Sequence, residues 1–251
     1  MINLATEDWK INNIDTILFD KDGTFIDLHS FWGKITELRI LEILKIYDID
    51  NSYFNELCLF LGYDTKAKKM LSNGITAIYS RNIIIEKLNQ KLKEITNLSN
   101  PNEIELIFDN ITKEFNTDMF NFINPIDSAI DFIKKMYSKG IKLGIVTSDS
   151  VETTILTLEY FNLKHVFKTI IGRESSNFTK ESGEPTKLAL KNLNSTSETA
   201  LMIGDTKSDY ISAKKAGIQK VILTATGQEP LEELKKITPC VIYSLKEIQC
   251  S

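Results

Sequence analysis

Residues 17–27 read ILFDKDGTFID, and this stretch decides the fold. It begins with three consecutive apolar residues, a pattern typical of a parallel strand that helices cover on both faces. Two carboxylates, Asp20 and Asp22, follow one residue apart, with Gly23 and Thr24 directly after them. Neighbouring acids at the end of a buried strand repel each other unless a cation or a substrate needs both. The stretch therefore predicts a functional site where the first strand ends.

The composition is that of a globular protein without a strong charge bias. The chain has 251 residues, 42% of them hydrophobic, which is enough for one large core or two modest ones. A net charge of -4 gives no overall basic excess for nucleic-acid binding. The first residues, MINLATEDWKINN, do not resemble a signal segment, and no apolar stretch has the length of a membrane span. We expect a cytoplasmic protein with no nucleic-acid or membrane partner.

Short apolar runs alternate with amphipathic stretches along most of the chain. Strand-length apolar runs occupy residues 16–19, 141–146, 166–171, 200–203, 220–223 and 241–243. Helical patterns lie between them, at residues 125–139, 151–161, 185–193 and 210–216. This alternation predicts an α/β fold built on a doubly wound parallel sheet.

One long interval, residues 27–121, interrupts the alternation. It contains helix-like stretches such as ITELRILEILKIY, whose apolar residues recur at spacings of three and four. The interval is long enough to bury a small core of its own. We therefore expect a discontinuous α/β core domain, residues 1–26 and 122–251, with a helical domain inserted at residues 27–121.

Polar side chains follow four of the expected strands at the point where each strand ends. The candidates are Asp20 and Asp22 after the first strand, Thr147 and Ser148 after the second, Lys180 after the third, and Asp205 and Asp209 after the fourth. Ligands of an open parallel sheet bind outside the carboxyl ends of its strands. We therefore expect these groups to meet at one edge of the sheet.

At these residues the sequence resembles the haloacid dehalogenase superfamily of hydrolases, and within it the phosphatases with an inserted helical cap, such as phosphoglycolate phosphatase. DKDGT matches the first motif of that family, Thr147 at the end of GIVT the second, and IGDTKSD the fourth. The third motif departs from the family's Lys-Pro-x-Pro-Glu-Pro, because KESGEP keeps Lys180 but has Glu181 and Gly183 in place of two prolines. Lys187 is the competing candidate, although its place within the next helix favours a solvated charge.

The residue types also suit phosphoryl transfer. A phosphate monoester is a dianion, so a carboxylate nucleophile needs a divalent cation beside it, and Mg²⁺ prefers hard oxygen ligands. We interpret Asp20 as a nucleophile and metal ligand that forms an aspartyl-phosphate intermediate. We expect Thr147 and Lys180 to hold the phosphoryl oxygens, with help from Ser148. Gly23 permits a tight turn that brings backbone N–H groups towards the phosphate.

The resemblance implies a role for each of the three remaining aspartates. Asp22 gives its backbone carbonyl to the metal, and its side chain acts as general acid for the leaving alcohol and general base for water. Asp205 completes the protein's share of the metal shell, and Asp209 orients water ligands or pairs with Lys180. The resemblance thus implies a Mg²⁺-dependent phosphatase acting on a small phosphorylated metabolite.

Other functions use parts of the same pattern. A phosphomutase needs the same core with a different cap and stays open as an alternative. A receiver-like phospho-accepting module is remote, because Asp22, the GDTKSD segment and the long insertion argue against it. A dehalogenase uses an aspartate nucleophile on carbon without a metal, and Asp22, Asp205 and Asp209 make that function unlikely. An EF-hand loop starting at Asp20 fails on spacing, since Phe25 and Phe31 take its sixth and twelfth positions.

The inserted domain is expected to select the substrate. The segment GYDTKAKKMLSNGITAIYSR offers the candidate anion-binding residues Lys66, Lys68, Lys69 and Arg81. A solvated helix face explains these charges equally well. Trp32 and Arg39 line the mouth of the cap or belong to an ordinary amphipathic helix, and both alternatives stay open, as do the substrate and the oligomeric state.

Overall fold

The DKDGT stretch follows a central strand of a parallel sheet in the computed structural model of this protein. The structure describes the backbone of residues 1–251 and every side chain except those of residues 116, 118 and 119. Contacts divide the chain into two units. The core unit comprises Met1–Asp27 and Asn124–Ser251, and the helical unit comprises Leu28–Ile123.

The secondary structure alternates between strands and helices in the core unit. The strands, numbered along the whole chain, are β1 (Ile2–Ala5), β2 (Lys10–Ile14), β3 (Thr16–Phe19), β4 (Tyr63–Asp64), β5 (Lys69–Met70), β6 (Lys142–Val146), β7 (Thr169–Ile171), β8 (Ala200–Gly204), β9 (Lys220–Thr224), β10 (Val241–Ile242) and β11 (Gln249–Cys250). The α-helices are α1 (Leu28–Ile46), α2 (Phe54–Leu61), α3 (Ile75–Ile78), α4 (Arg81–Thr96), α5 (Pro101–Asp118), α6 (Ala129–Ser138), α7 (Val151–Tyr160), α8 (Glu184–Asn192), α9 (Lys207–Lys215) and α10 (Leu231–Ile237).

The main sheet has six strands in the order β10-β9-β8-β3-β6-β7, and every neighbouring pair is parallel. All four residues of β3 are buried, which explains why this strand is continuously apolar after Thr16. Phe19 lies opposite Ile145 of β6 and Ile203 of β8. The carboxyl ends of these three strands are therefore level, and the predicted doubly wound α/β fold is confirmed.

Aromatic packing anchors the turn that follows β3. The Phe19 ring meets the Phe25, Phe132 and Phe167 rings edge-on, with centroid distances of 6.5, 6.4 and 6.1 Å. Phe25 also stacks on Phe167 at 6.1 Å. Phe25 is fully buried and lies directly after Thr24, so this cluster fixes the carboxyl end of the DKDGT turn.

Some elements differ from the sequence-based expectations. Helix α6 begins at Ala129 rather than at residue 125, because Pro125 forms a bridge with Ile26 and the Ile126 N–H donates to Phe25 O at 2.9 Å. Strand β7 is confined to Thr169–Ile171, and α9 begins at Lys207 rather than at residue 210. A small antiparallel sheet, β11-β1-β2, was not expected at all.

The helical unit contains the five α-helices α1 to α5, short 3₁₀ turns and one short hairpin. Its core includes an edge-on contact between Phe31 and Phe115, with ring centroids 5.2 Å apart. The hairpin pairs Tyr63–Asp64 with Lys69–Met70 inside the segment proposed from the sequence to reach the substrate. Across the described residues, no helix is both long enough and apolar enough to span a bilayer.

Candidate active site

The carboxyl edge of the main sheet gathers the sequence-predicted residues of the core unit. Asp20 follows β3, Thr147 follows β6 and Asp205 follows β8, so their places are set by the level register of these strands. Asp209 lies in the first turn of α9, and Lys180 begins a short 3₁₀ turn, Lys180–Ser182, ahead of α8. Distant parts of the sequence thus meet at one site.

Lys180 connects two of the acids. Its Nζ lies 2.5 Å from Asp20 Oδ1 and 2.6 Å from Asp209 Oδ1. The side chain of Lys180 is only 8% exposed, and those of its partners are 9% and 1% exposed. Because water has little access to these charges, their interaction is weakly screened.

Asp209 is held by hydrogen bonds at the start of α9. Its Oδ2 accepts from the Thr206 hydroxyl at 2.7 Å and from the backbone N–H groups of Thr206 and Asp205 at 3.0 and 3.2 Å. Gly204 makes room for this carboxylate, because a Cβ at residue 204 would lie 2.3 Å from Asp209 Cγ. These contacts leave Asp209 Oδ1 to face Lys180.

Asp205 carries a buried oxygen without a hydrogen-bond donor in the described part of the molecule. Its Oδ1 accepts from the Thr24 hydroxyl at 3.4 Å, whereas Oδ2 has no hydrogen-bond partner. Gly227, in the loop after β9, lies so close that a Cβ there would be 1.7 Å from Asp205 Oδ2. Any side chain at residue 227 would therefore displace this carboxylate.

Burial makes the negative charges in this cluster costly. It raises the pKa of Asp20 to about 7, with Asp209 adding to the rise and the Lys180 ammonium opposing it. Burial and the neighbouring charge of Asp20 likewise raise the pKa of Asp205 well above its usual range. Burial alone would lower the pKa of Lys180, but Asp20 and Asp209 raise it overall. With all three carboxylates ionised, the cluster would carry more negative charge than the Lys180 ammonium neutralises.

The donor set fits a divalent cation. Asp20, Asp205 and Asp209 each place a carboxylate oxygen within 4.8 Å of the others, and all three residues are buried. Hard carboxylate oxygens are the ligands that Mg²⁺ prefers, and Asp205 Oδ2 is an oxygen that needs a positive partner. Both oxygens of Asp209 are engaged, Oδ1 by Lys180 and Oδ2 by Thr206, whereas the contacts described above for Asp20 and Asp205 each involve Oδ1.

Asp22 faces a different cation. Its Oδ1 lies 2.6 Å from Lys21 Nζ, which also lies 3.0 Å from Asp149 Oδ2. Lys21 is fully buried, whereas the Asp22 side chain is 15% exposed. Burial would lower the pKa of Lys21, but Asp22 and Asp149 together raise it well above its usual range. Sequence patterns singled out neither Lys21 nor Asp149.

The loop after β6 presents one buried and one exposed hydroxyl. Thr147 is 5% exposed, and its hydroxyl oxygen accepts from the Asp149 N–H at 3.1 Å. Asp149 in turn accepts the Ser150 N–H at 2.7 Å through Oδ1. Ser148 is exposed. The expected phosphate contacts of Thr147 and Ser148 stay predictions.

The turn through Gly23 has a left-handed backbone, with φ of 88°. The Gly23 N–H donates to Ile26 O at 2.8 Å, so it is engaged within the turn. The Gly23 carbonyl accepts from the hydroxyls of Thr226 and Thr224 at 2.6 and 3.2 Å. Thr226 therefore fastens the end of β9 to this turn, a role that a lone threonine in a sequence does not signal.

The two candidate lysines of the third motif lie in different environments. Lys180 is in the acidic cluster, whereas Lys187 pairs with Glu184 at 2.9 Å and is 51% exposed. Gly183 has φ of 83°, a conformation that proline cannot adopt, and a Cβ there would lie 2.7 Å from Lys215 Cβ. This left-handed turn explains why the second proline of the family pattern is absent here.

The candidate residues of the helical unit have mixed environments. Arg81 pairs with Asp109 at 2.5 Å, and the Arg39 guanidinium lies 4.3 Å from the centroid of the Phe108 ring and donates to Thr112 Oγ1 at 3.0 Å. The Trp32 ring contacts Phe31 edge-on at 5.4 Å. Among the candidate anion-binding residues, the exposed ones are Lys66, Lys68 and Lys69, which lie in the hairpin segment.

The architecture and the acidic site define a class of protein. The family model described as haloacid dehalogenase-like hydrolase matches residues 45–223, well over half of the chain. The chain therefore belongs to the haloacid dehalogenase-like hydrolases, and the resemblance drawn from its motifs is confirmed. The matched segment contains Thr147, Lys180, Asp205 and Asp209, and it begins downstream of Asp20.

Individual relatives are similar over most of their length. Pyrophosphatase PpaX of Halalkalibacterium halodurans is 24% identical over 210 residues, which cover 84% of this chain and 83% of that protein. A predicted phosphoglycolate phosphatase from Haemophilus somnus has a TM-score of 0.70 at 17% identity, over 93% of this chain and 96% of that one. A provisionally named beta-phosphoglucomutase from Thermotoga maritima has a TM-score of 0.64 at 18% identity, over 92% and 94%. The structural likenesses show a shared fold.

Proposed function

We propose that this protein is a Mg²⁺-dependent phosphatase that hydrolyses a small phosphorylated metabolite through an aspartyl-phosphate intermediate on Asp20. The observation that carries the proposal is the buried cluster of Asp20, Asp205 and Asp209 around the Lys180 ammonium. When ionised, three acids beside one lysine at the carboxyl edge of a parallel sheet have a net negative charge. A divalent cation and a phosphate dianion together satisfy both the acids and the lysine.

In the first half of the reaction, Asp20 attacks phosphorus and the substrate oxygen leaves. Mg²⁺, held by Asp20, Asp205 and the Asp22 backbone carbonyl, would neutralise charge on the transferring phosphoryl group. Lys180 would stabilise the phosphoryl oxygens by charge, and Thr147 would do so by a hydroxyl hydrogen bond. The Asp22 carboxyl gives its proton to the leaving oxygen as the P–O bond breaks.

In the second half, water hydrolyses the aspartyl phosphate. Asp22, now a carboxylate, takes a proton from the attacking water, and the products are inorganic phosphate and the regenerated Asp20 carboxylate. Asp209 keeps Lys180 at the site through their 2.6 Å ion pair. Gly23 shapes the turn, while Ser148 is a secondary candidate for a phosphate contact because it is exposed.

The relatives suggest which substrates to examine first. PpaX relatives carry the name pyrophosphatase, so pyrophosphate belongs beside phosphoglycolate, sugar phosphates and nucleoside monophosphates. A phosphomutase is the alternative function, since it uses the same core to return the phosphoryl group to another hydroxyl of the substrate. Release of inorganic phosphate with each turnover distinguishes the two activities.

The test is a screen of these compounds with Mg²⁺ and with a chelator, reading inorganic phosphate. The proposal requires phosphate release that depends on Mg²⁺ for at least one compound and for a generic aryl phosphate. Equal release with the chelator would contradict the metal-dependent mechanism. Conversion of a sugar phosphate to its isomer without release of inorganic phosphate would contradict the phosphatase function and support the phosphomutase function.

Lys180 and Lys187 provide a matched pair of variants. Lys180→Ala should slow turnover on the order of a hundredfold, because losing one preorganised charge-stabilising group costs roughly 3 kcal/mol at the transition state. Lys187→Ala removes an exposed lysine of the same charge and should leave turnover close to wild type. The measurement is kcat/KM on one aryl phosphate. A crippled Lys187→Ala beside a nearly normal Lys180→Ala would assign the third motif to Lys187.

A further inference from the structure

Lys21 is a buried cation that the proposed reaction does not use. It lies between the two motif aspartates, yet its ammonium turns to Asp22 Oδ1 at 2.6 Å and Asp149 Oδ2 at 3.0 Å. Its side chain is 1% exposed. Placing a lysine there costs desolvation energy, and removing one partner of a buried charge pair is strongly destabilising.

The two carboxylates of Lys21 belong to different loops. Asp22 lies in the turn after β3, and Asp149 lies in the loop after β6, next to Thr147. Asp149 is itself fixed, because its Oδ1 accepts the Ser150 N–H and its N–H donates to Thr147 Oγ1. Lys21 therefore links the Asp22 carboxylate to a fixed carboxylate across neighbouring strands.

We propose that Lys21 is a positioning residue that, through its Asp149-anchored ion pair, holds the Asp22 carboxyl in the orientation required for proton transfer. The inference rests on the proposed function, in which Asp22 is the general acid and base. The ion pair engages Oδ1 of Asp22, and 15% of the Asp22 side chain is exposed. A carboxyl with two rotatable side-chain bonds gains a fixed direction from such a contact.

The dependence of the effect on the leaving group distinguishes this positioning role from general support of the fold. If Lys21 acts through Asp22, its loss should harm substrates whose leaving oxygen needs a proton and spare those whose leaving group departs without one. A general structural defect slows both kinds of substrate alike. The parameter to compare is kcat/KM, which reports steps up to the first irreversible one and so includes departure of the leaving group.

The test measures Lys21→Met on an alkyl phosphate and on p-nitrophenyl phosphate, with saturating Mg²⁺. We expect a loss of about tenfold or more on the alkyl phosphate, up to that of Asp22→Asn, and about threefold or less on the aryl phosphate. Lys21→Arg keeps the charge and should recover part of the alkyl phosphate activity. An equal loss on the two substrates would overturn the proposal.

Two double variants keep the test informative if Lys21→Met does not fold. Lys21→Met with Asp149→Asn, and Lys21→Met with Asp22→Asn, each remove one positive and one negative charge and so preserve the buried net charge. The first should still show the selective loss on alkyl phosphate, because Asp22 remains but has lost its ion pair with Lys21. The second should match Asp22→Asn alone within about threefold, because the two residues act as one unit. Full additivity of the two losses would overturn the proposal.

The outcomes also separate this inference from the proposed function. If Asp20→Asn retains turnover, the aspartyl-phosphate mechanism fails whatever Lys21 does. If Asp20→Asn is inactive and Asp22→Asn shows leaving-group dependence while Lys21→Met does not, the mechanism stands and only the positioning role of Lys21 is rejected.

Discussion

Asp20→Asn is expected to lose essentially all phosphatase activity, by roughly 10⁴-fold or more, because an amide is a poor nucleophile and cannot form the acyl phosphate. The variant should still fold. Burial raises the pKa of Asp20 to about 7, so a neutral side chain at this position relieves charge crowding in the metal-free protein. Lys180 keeps Asp209 as a partner. The measurement is kcat on an aryl phosphate with Mg²⁺.

A matched surface variant controls for the loss of a carboxylate. Asp127 is exposed and pairs with Lys246 at the surface of the core unit, so Asp127→Asn makes the same chemical change away from the site. It should retain wild-type kcat. Intact mass must exclude deamidation of the introduced asparagine back to aspartate. Substantial turnover by verified Asp20→Asn protein would contradict the nucleophile assignment.

Asp22→Asn should slow the reaction by roughly 10²- to 10⁴-fold on an alkyl phosphate, the range for a lost general acid-base group. The loss in kcat/KM should be much smaller on p-nitrophenyl phosphate, whose leaving group departs without protonation. The contrast arises because only the alkyl oxygen needs the proton of Asp22. Equal losses on both substrates would contradict the general-acid role.

Asp22 and Asp205 should differ in their effect on the metal. Asp22→Asn keeps its backbone carbonyl, so the Mg²⁺ concentration for half-maximal activity should change little. Asp205→Asn removes the buried oxygen Oδ2 that lacks a hydrogen-bond partner in the described structure, and it should raise that concentration and diminish the rise in Tm on adding Mg²⁺. A large increase in the Mg²⁺ requirement of Asp22→Asn would make its side chain a direct ligand.

The sequence predicted the sheet and the acidic edge because both depend on local patterns. β3, β6 and β8 are short, mostly apolar strands that are each followed directly by a polar residue, and an all-parallel arrangement then places those residues together. The β11-β1-β2 sheet has no comparable signal. Strand β2 reads KINNI, in which Asn13 has a left-handed backbone, and β1 pairs with β11 at the far end of the chain.

The structure also adds residues that sequence patterns do not reveal. In the sequence, the lysine of DKDGT is expected to be a solvated surface charge. Its burial is evident only in the structure, where the loop after β6 brings Asp149 to 3.0 Å from Lys21 Nζ. Thr226 and Gly227 follow β9 and belong to none of the motifs that point to the site. Their importance is steric and local, because Thr226 binds the Gly23 carbonyl and Gly227 leaves space for Asp205.

The central claim, that Asp20 carries the phosphoryl group, is tested most directly by trapping the intermediate. An aryl phosphate is mixed with the Asp22→Asn protein and Mg²⁺, because loss of the general base should slow hydrolysis of the acyl phosphate more than its formation. The mixture is quenched, treated with borohydride, which reduces an acyl phosphate but not a free carboxylate, and mapped by peptide mass spectrometry. We predict homoserine at residue 20, dependent on substrate and Mg²⁺. Homoserine at another aspartate would contradict the claim. So would unmodified Asp20 in protein that is turning over substrate while hydrolysis of the acyl phosphate is rate-limiting.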